Sequence, residues 1–205
     1  MKRPTNHQEL PFNQTNDWRR FVVHKHHATR LHYDVRMEHA GVLKSWVVPD
    51  GPCLDPAQPR LAILVNDHAI NCCTFEGTIP AGRYGAGPVM LWDVGWWRTD
   101  QNVDQAFRDG RLNFQFRGRK LSGNWSLTRI RSSSGRDQEK WHLKKEDDTE
   151  AKSLSEMDIL SAQPLSIATG RTLAEIASEP SHFAPRKSRR DSDNQHSLFP
   201  DDLES

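Results

Sequence analysis

The chain has 205 residues, 28 basic and 27 acidic side chains, a net charge of +1 and a hydrophobic content of only 35%; its mean hydropathy is -0.79. No apolar run approaches the roughly 20 residues of a membrane span, and the opening MKRPTNHQEL lacks the apolar core of a leader, so the chain reads as soluble and cytoplasmic, nucleoid-associated if it meets DNA. Three cysteines, with Cys72 and Cys73 adjacent, make neither a disulfide framework nor a CxxC zinc pattern and point to a reducing compartment.

Residues 1–19 are polar, carry Pro4 and Pro11, and read as a lead-in. From Phe21 onward, short runs of strand character recur: FVVHK (21–25), LHYDVRM (31–37), LKSWVV (43–48), LAILVN (61–66), VMLWDV (89–94), LNFQF (112–116), NWSLTRI (124–130) and KWHLKK (140–145). Turns rich in Gly and Pro separate them, such as 49–59 and 79–88, which predicts an antiparallel sheet curled into a barrel or sandwich. One helix is expected over 103–110, stopped by Gly110. Six of the seven tryptophans fall between Trp46 and Trp141 and mark the core. A domain over 20–151 follows, and 152–205 reads as a largely disordered tail in which TLAEIAS (172–178) has the length of two helical turns. The tail holds 6 basic and 9 acidic residues, leaving 22 and 18 in residues 1–151. The domain is mildly basic, which permits a nucleic-acid partner without requiring one.

The densest chemistry lies in HKHHATRLHYDVR (24–36), with four histidines, one aspartate and two arginines. Strict alternation on a strand puts His32, Asp34 and Arg36 on one face and Leu31, Tyr33, Val35 and Met37 on the other. A half-buried strand with a solvated polar face would read the same way. His26, on the adjoining segment, adds a second imidazole if it folds back beside His32. Two imidazoles and a carboxylate leave open positions for water or substrate and suit Mn²⁺ or Fe²⁺, whereas a closed zinc site wants a fourth ligand. Arg36 has the chemistry of a phosphate clamp.

FVVHKHHATRLHYDVRMEHAGVLKSWVVPDGP, NDHAINCCTFEGTIPAGRYGAGPVMLWDVGWW, GRKLSGNWSLTRIR and WHLKKEDDTEA, in that order, resemble the 3'-phosphoesterase domain of bacterial ligase D, a family with free-standing versions. The resemblance runs over roughly residues 10–151. It implies a small closed antiparallel β-barrel with a polar groove, short flanking helices and bound Mn²⁺. The implied activity is trimming of DNA or RNA 3' ends in double-strand break repair by non-homologous end joining: removal of a 3'-terminal ribonucleoside, then of the 3'-phosphate. It assigns His26, His32 and Asp34 as metal ligands, and Arg36, Arg60 and His68 as catalytic contacts to the scissile phosphate. Implied partners are DNA or DNA/RNA 3' ends, together with a ligase, polymerase or end-binding protein of break repair. His24 and His27 fit no role in that pattern and read as groove-wall or surface groups. Glu76, Gly77 and GRYGAG (82–87) look like a nucleotide-binding glycine loop, but a tight turn closing the barrel fits them better.

Three positions depart from the family pattern: Asp50 stands where a lysine is usual, Cys72 where a tyrosine is usual, and Asn66 where an acid is common. A carboxylate at Asp50 repels phosphate, so the nuclease or phosphatase step is expected to differ in rate or substrate range. Two readings follow: an active Mn²⁺-dependent 3'-end-processing enzyme, or a catalytically weakened DNA-end-binding accessory recruited through its tail. Gln195, Leu198 and Phe199 in QHSLF resemble the short peptide that docks on the replication sliding clamp, with two apolar anchors and one polar residue for register. RKSRR (186–190) can touch DNA phosphates.

Overall fold

Alternation writes the strands directly into the sequence. In Arg111–Gly118, Leu112, Phe114 and Phe116 are buried while Arg111, Asn113 and Arg117 face outward; in Lys140–Lys145, Trp141, Leu143 and Lys145 turn inward and Lys140 and His142 turn out. The computed structural model describes residues 18–131 and 138–178. Its strands are β1 (Arg19–His27), β2 (Leu31–His39), β3 (Val42–Val48), β4 (Arg60–Ala69), β5 (Gly77–Ile79), β6 (Gly87–Arg98), β7 (Arg111–Gly118), β8 (Ser122–Arg129) and β9 (Lys140–Lys145). Helices α1 (Val103–Asp109), α2 (Ile159–Ala162) and α3 (Leu173–Ser178) and a 3-10 turn at Ile70–Thr74 complete the described elements.

Eight antiparallel strands run in the order β1-β2-β3-β4-β9-β8-β7-β6, and pairing of β1 with β6 closes them into a barrel. Full closure leaves no row of unpaired backbone groups within the ring. All eight expected strands are present. The three-residue β5, paired with the start of β6, is too short to leave a periodic signal. Helix α1 also falls where expected: Asn102 caps it by accepting from the Gln105 amide at 2.9 Å, and Gly110 stops it in the left-handed conformation.

Inside the barrel, Phe21, Val23, Tyr33, Val35, Met37, Trp46, Trp92, Trp97, Trp125 and Trp141 form one apolar core. Truncating one of these large side chains to alanine costs about 3–5 kcal/mol for the aromatic ones. Lys145 enters the same interior fully buried, its ammonium paired with Asp148 and donating to the Asn124 and Glu146 carbonyls at 3.2 Å. A smaller apolar cluster, Val22, Leu43, Cys73, Leu91 and Val94, sits on the outer face.

The domain boundary at 151 differs from the structure. Ile159 and Ile176 are buried in the main core, and Ile167 packs on the outer cluster. The Leu91 backbone lies between the stretches of β6 that pair with β5 and β7. There it donates to the Glu76 carboxylate at 3.0 Å and accepts from the Ile167 amide at 3.0 Å. Glu76 also accepts from Ser166, Thr169 and Arg171. Residues 152–178 are thus part of the folded unit. Their apolar residues are too few and too irregularly spaced to announce this in sequence. The lead-in through residue 17, RKSRR (186–190) and the clamp-like Gln195, Leu198 and Phe199 lie outside the described residues.

Candidate metal centre

The β1–β2 register sets His26 directly opposite His32, His24 opposite Asp34 and Val22 opposite Arg36. Since Phe21, Val23, Tyr33, Val35 and Met37 fill the barrel, the alternate residues His24, His26, His32, Asp34 and Arg36 share its outer face. One ligand atom each from His26, His32 and Asp34 lies within 4.8 Å of the others, the single such group of three among the described residues. His26 Nδ1 is 3.7 Å from Asp34 Oδ2, and His32 Nε2 is 3.6 Å from Asp34 Oδ1.

Backbone carbonyls fix which nitrogens face inward. His26 donates from Nε2 to the Gly85 carbonyl at 2.9 Å, and His32 donates from Nδ1 to the Arg30 carbonyl at 2.9 Å. In the neutral rings this leaves Nδ1 of His26 and Nε2 of His32 as lone pairs beside the carboxylate. Donors sharing a tetrahedral ion at about 2.1 Å lie about 3.5 Å apart; each nitrogen–oxygen pair is near that spacing, and the three ligand atoms, within 4.8 Å of one another, would draw together to hold a divalent cation. Outer acceptors that lock the tautomer are the usual support of a ligating histidine.

Burial works against charge on Asp34, but the neighbouring His26 imidazole and the Arg36 guanidinium outweigh it and hold the carboxyl well below its ordinary value. Arg36 donates from Nη2 to Asp34 Oδ2 at 3.0 Å, while its buried Nε has no hydrogen-bond partner among the described residues. A guanidinium beside a candidate metal site has the charge and donors to take an anion. His24 lies deeper, 1% exposed, with Nε2 3.0 Å from the Phe75 carbonyl. Burial, reinforced by Arg36, pushes its pKa down to about 3. It is a buried neutral ring, so of the two sequence readings, groove-wall or surface group, the structure excludes the surface one.

His68 joins this face through an irregularity. Ser45 pairs with Val65, but Leu43 pairs with His68, so β4 carries one extra residue. Simple alternation from Ile63 and Val65 would turn Asp67 outward, and the bulge turns His68 there instead. Its Nδ1 lies 3.1 Å from Ser45 Oγ, and Ser45 is the cross-strand partner of Arg36. Burial, then the charge of Arg36, lowers the His68 pKa.

Arg60 does not join them. It begins β4, eight residues before His68 on the same strand, roughly 25 Å away at about 3.3 Å per residue. One phosphate therefore cannot bridge Arg60 and His68, which separates two residues that the sequence reading groups together. Asp50 is exposed in the turn after β3, Asn66 is exposed at the bulge, and Cys72 is half-buried in the 3-10 turn. GRYGAG forms a turn whose contribution is the Gly85 carbonyl, and Glu76 fastens residues 166–171 instead of helping to cradle a nucleotide. Sequence reasoning misses Ser45 and the carbonyls of Arg30 and Gly85; only strand register could have found Ser45, and backbone acceptors leave no residue-type signal.

The sequence profile of the DNA Ligase D 3'-phosphoesterase domain matches residues 24–129. The chain is 47% identical over 171 residues to the Multifunctional non-homologous end joining protein LigD of Pseudomonas aeruginosa, covering 83% of this chain and 20% of that protein. The protein of the same name from Mycobacterium bovis is 42% identical over 115 residues, 56% of this chain and 15% of the relative. The chain thus spans about a fifth or less of the length of these relatives. A family profile matching over half of its residues, together with 47% identity over 83% of the chain, means that this chain belongs to the DNA ligase D 3'-phosphoesterase domain family.

Proposed function

We propose that the chain is a divalent-metal-dependent phosphoesterase that trims DNA or DNA/RNA 3' ends during double-strand break repair by non-homologous end joining. The substrate ends would carry a 3'-terminal ribonucleoside or a 3'-phosphate, and a free 3'-OH is the product. The observation that carries this reading is the pair of imidazoles, each with its outer nitrogen given to a backbone carbonyl and its inner lone pair aimed at Asp34. His26, His32 and Asp34 would hold the ion, with a nitrogen-and-carboxylate set that favours Mn²⁺ over a closed zinc site. Such an ion, when bound, supplies Lewis-acid polarisation of a phosphoryl oxygen.

The protein's own residues do the rest. Arg36, fixed by Asp34, offers its guanidinium to a phosphate oxygen and stabilises charge there. His68, on the same face, meets the phosphate or its leaving oxygen through one ring nitrogen. Arg60, at the other end of β4, is suited to a neighbouring phosphate of the bound strand rather than the scissile one. The exposed carboxylate of Asp50 opposes a phosphate that approaches from that side, which supports a slow 3'-phosphatase step. Incubation with Mn²⁺ and a primer ending in a single ribonucleotide should release the ribonucleoside and then phosphate. Loss of both products in His32→Ala is expected, and equal turnover by that variant would refute the reading.

The tail reading extends the proposal to recruitment. Leu198 and Phe199, with Gln195, would seat in an apolar pocket of the sliding clamp. Alanine at Leu198 and Phe199 should abolish co-elution with the clamp, and unchanged co-elution would remove this part.

A further inference from the structure

Ser45 lies on β3 and is 1% exposed. Its Oγ is 2.9 Å from the Leu43 carbonyl oxygen and 3.1 Å from His68 Nδ1. A hydroxyl has one proton to give, and a carbonyl can only accept. The bond to Leu43 therefore consumes the Ser45 proton. Both bonds exist together only when His68 carries its proton on Nδ1 and Ser45 accepts it.

We propose that Ser45 is a positioning residue that fixes His68 in the Nδ1–H tautomer, so that Nε2 is presented to the substrate as a proton acceptor. This rests on the phosphoesterase reading for the substrate's identity, but not for the tautomer. Geometry supports the assignment from two sides. The β4 bulge is what brings His68 onto the face that Ser45 and Arg36 share. Arg36, Ser45's partner across the strand pair, adds positive charge that disfavours a second proton on the ring, in line with the lowered His68 pKa. The groups facing the imidazole are Arg36, Asp34 and the Asn66 backbone carbonyl, with Asp67 beside it in sequence and Lys44 engaged by Asp67 at 2.8 Å. The Asn66 carbonyl is a second acceptor beside the ring, so a change of tautomer in Ser45→Ala is what assigns the selection to the hydroxyl rather than to that carbonyl.

A neutral His68 of this form cannot donate from Nε2 to a phosphate oxygen; it can accept a proton from water, or receive one before giving it to a leaving group. The opposite tautomer would donate from Nε2 and clamp the phosphate directly. Ser45 thus selects between two roles that the residue type leaves open.

The direct test uses the metal-free protein with ¹⁵N-labelled histidine at about pH 8, above the ordinary histidine pKa. Long-range ¹H–¹⁵N spectra report the tautomer, and His68→Gln identifies the resonances. A protonated Nδ1 in the wild type, lost or averaged in Ser45→Ala and restored in Ser45→Thr, is the expected result. A wild-type ring protonated on Nε2, or a Ser45→Ala ring unchanged from wild type, overturns the proposal. In turnover, Ser45→Ala should lower kcat by about 10-fold with KM nearly constant and shift the acid limb of the pH profile. A variant that loses thermal stability while keeping kcat and the pH profile shows a merely structural serine and also overturns it. If the wild type does not process 3' ends at all, the functional reading fails, and the spectra still decide the role of Ser45.

Discussion

His26 and Gly85 are joined by a 2.9 Å hydrogen bond from the imidazole Nε2 to the backbone carbonyl, across 59 residues of sequence. This bond turns Nδ1 toward Asp34 and ties a candidate ligand to the GRYGAG turn. Gly85 has a φ of +73°, and a Cβ added there would lie 3.4 Å from His26 Cε1. Gly85→Ala should therefore displace the carbonyl and weaken Mn²⁺ binding by about 10-fold or more, the usual effect of losing an outer partner of a ligating histidine. Titration followed by electron paramagnetic resonance measures this, and an unchanged Kd would contradict it.

Asp34 is the group on which both imidazoles and Arg36 converge. Asp34→Asn keeps the shape but removes the charge, and Mn²⁺ binding should be lost. Because removal leaves Arg36 without its carboxylate in a mostly buried position, stability should also fall by about 1–3 kcal/mol. Calorimetry with and without Mn²⁺ separates the two effects, and a variant that binds the ion as wild type does would exclude Asp34 as a ligand.

Asp50 is exposed and can be replaced at little cost to the fold, within about 0.5 kcal/mol. Asp50→Lys, the residue common in the family pattern, should raise the rate of 3'-phosphate release by about 10-fold or more by placing a cation where an anion stands. Adding Cys72→Tyr should increase it further. Rates no higher than wild type in the double variant would show that neither position limits turnover.

His24 makes stability pH-dependent in the metal-free protein. Its pKa is about 3 in the folded chain against 6.5 for the free side chain, chiefly because of burial. Between those values the unfolded chain binds a proton that the folded chain excludes. The stability contribution is therefore complete above about pH 6.5 and is lost as the pH falls toward 3, with a slope of up to about 1.4 kcal/mol per pH unit. Urea midpoints should follow this slope in wild type and flatten in His24→Gln. Parallel curves for the two proteins would rule out His24 as the source.

Residues 159–178 close over the barrel, so ending the chain at residue 151 should leave Trp92, Val22 and Leu91 without their cover and yield no stable fold. Milder substitutions give a measurable version: Ile159→Ala and Ile176→Ala should each cost about 2–5 kcal/mol in urea unfolding. Losses under about 0.5 kcal/mol, the range of surface substitutions, would restore the boundary near 151.

The sequence by itself determined the eight barrel strands, helix α1 and which residues could make the candidate metal cluster. Period-two alternation and a left-handed glycine stop are local signals, and residues within eight positions of one another on two adjoining strands can be paired by inspection. Tertiary structure decided what local signals do not contain. The β4 bulge, which a one-residue count hides, brought His68 beside Ser45 and Arg36, and the length of an extended strand kept Arg60 away from them. Long-range packing ordered residues 159–178, whose few apolar side chains have meaning only against a barrel already formed. Backbone carbonyls at Gly85 and Arg30 selected the histidine tautomers, since every residue owns a carbonyl and only the fold says where it points.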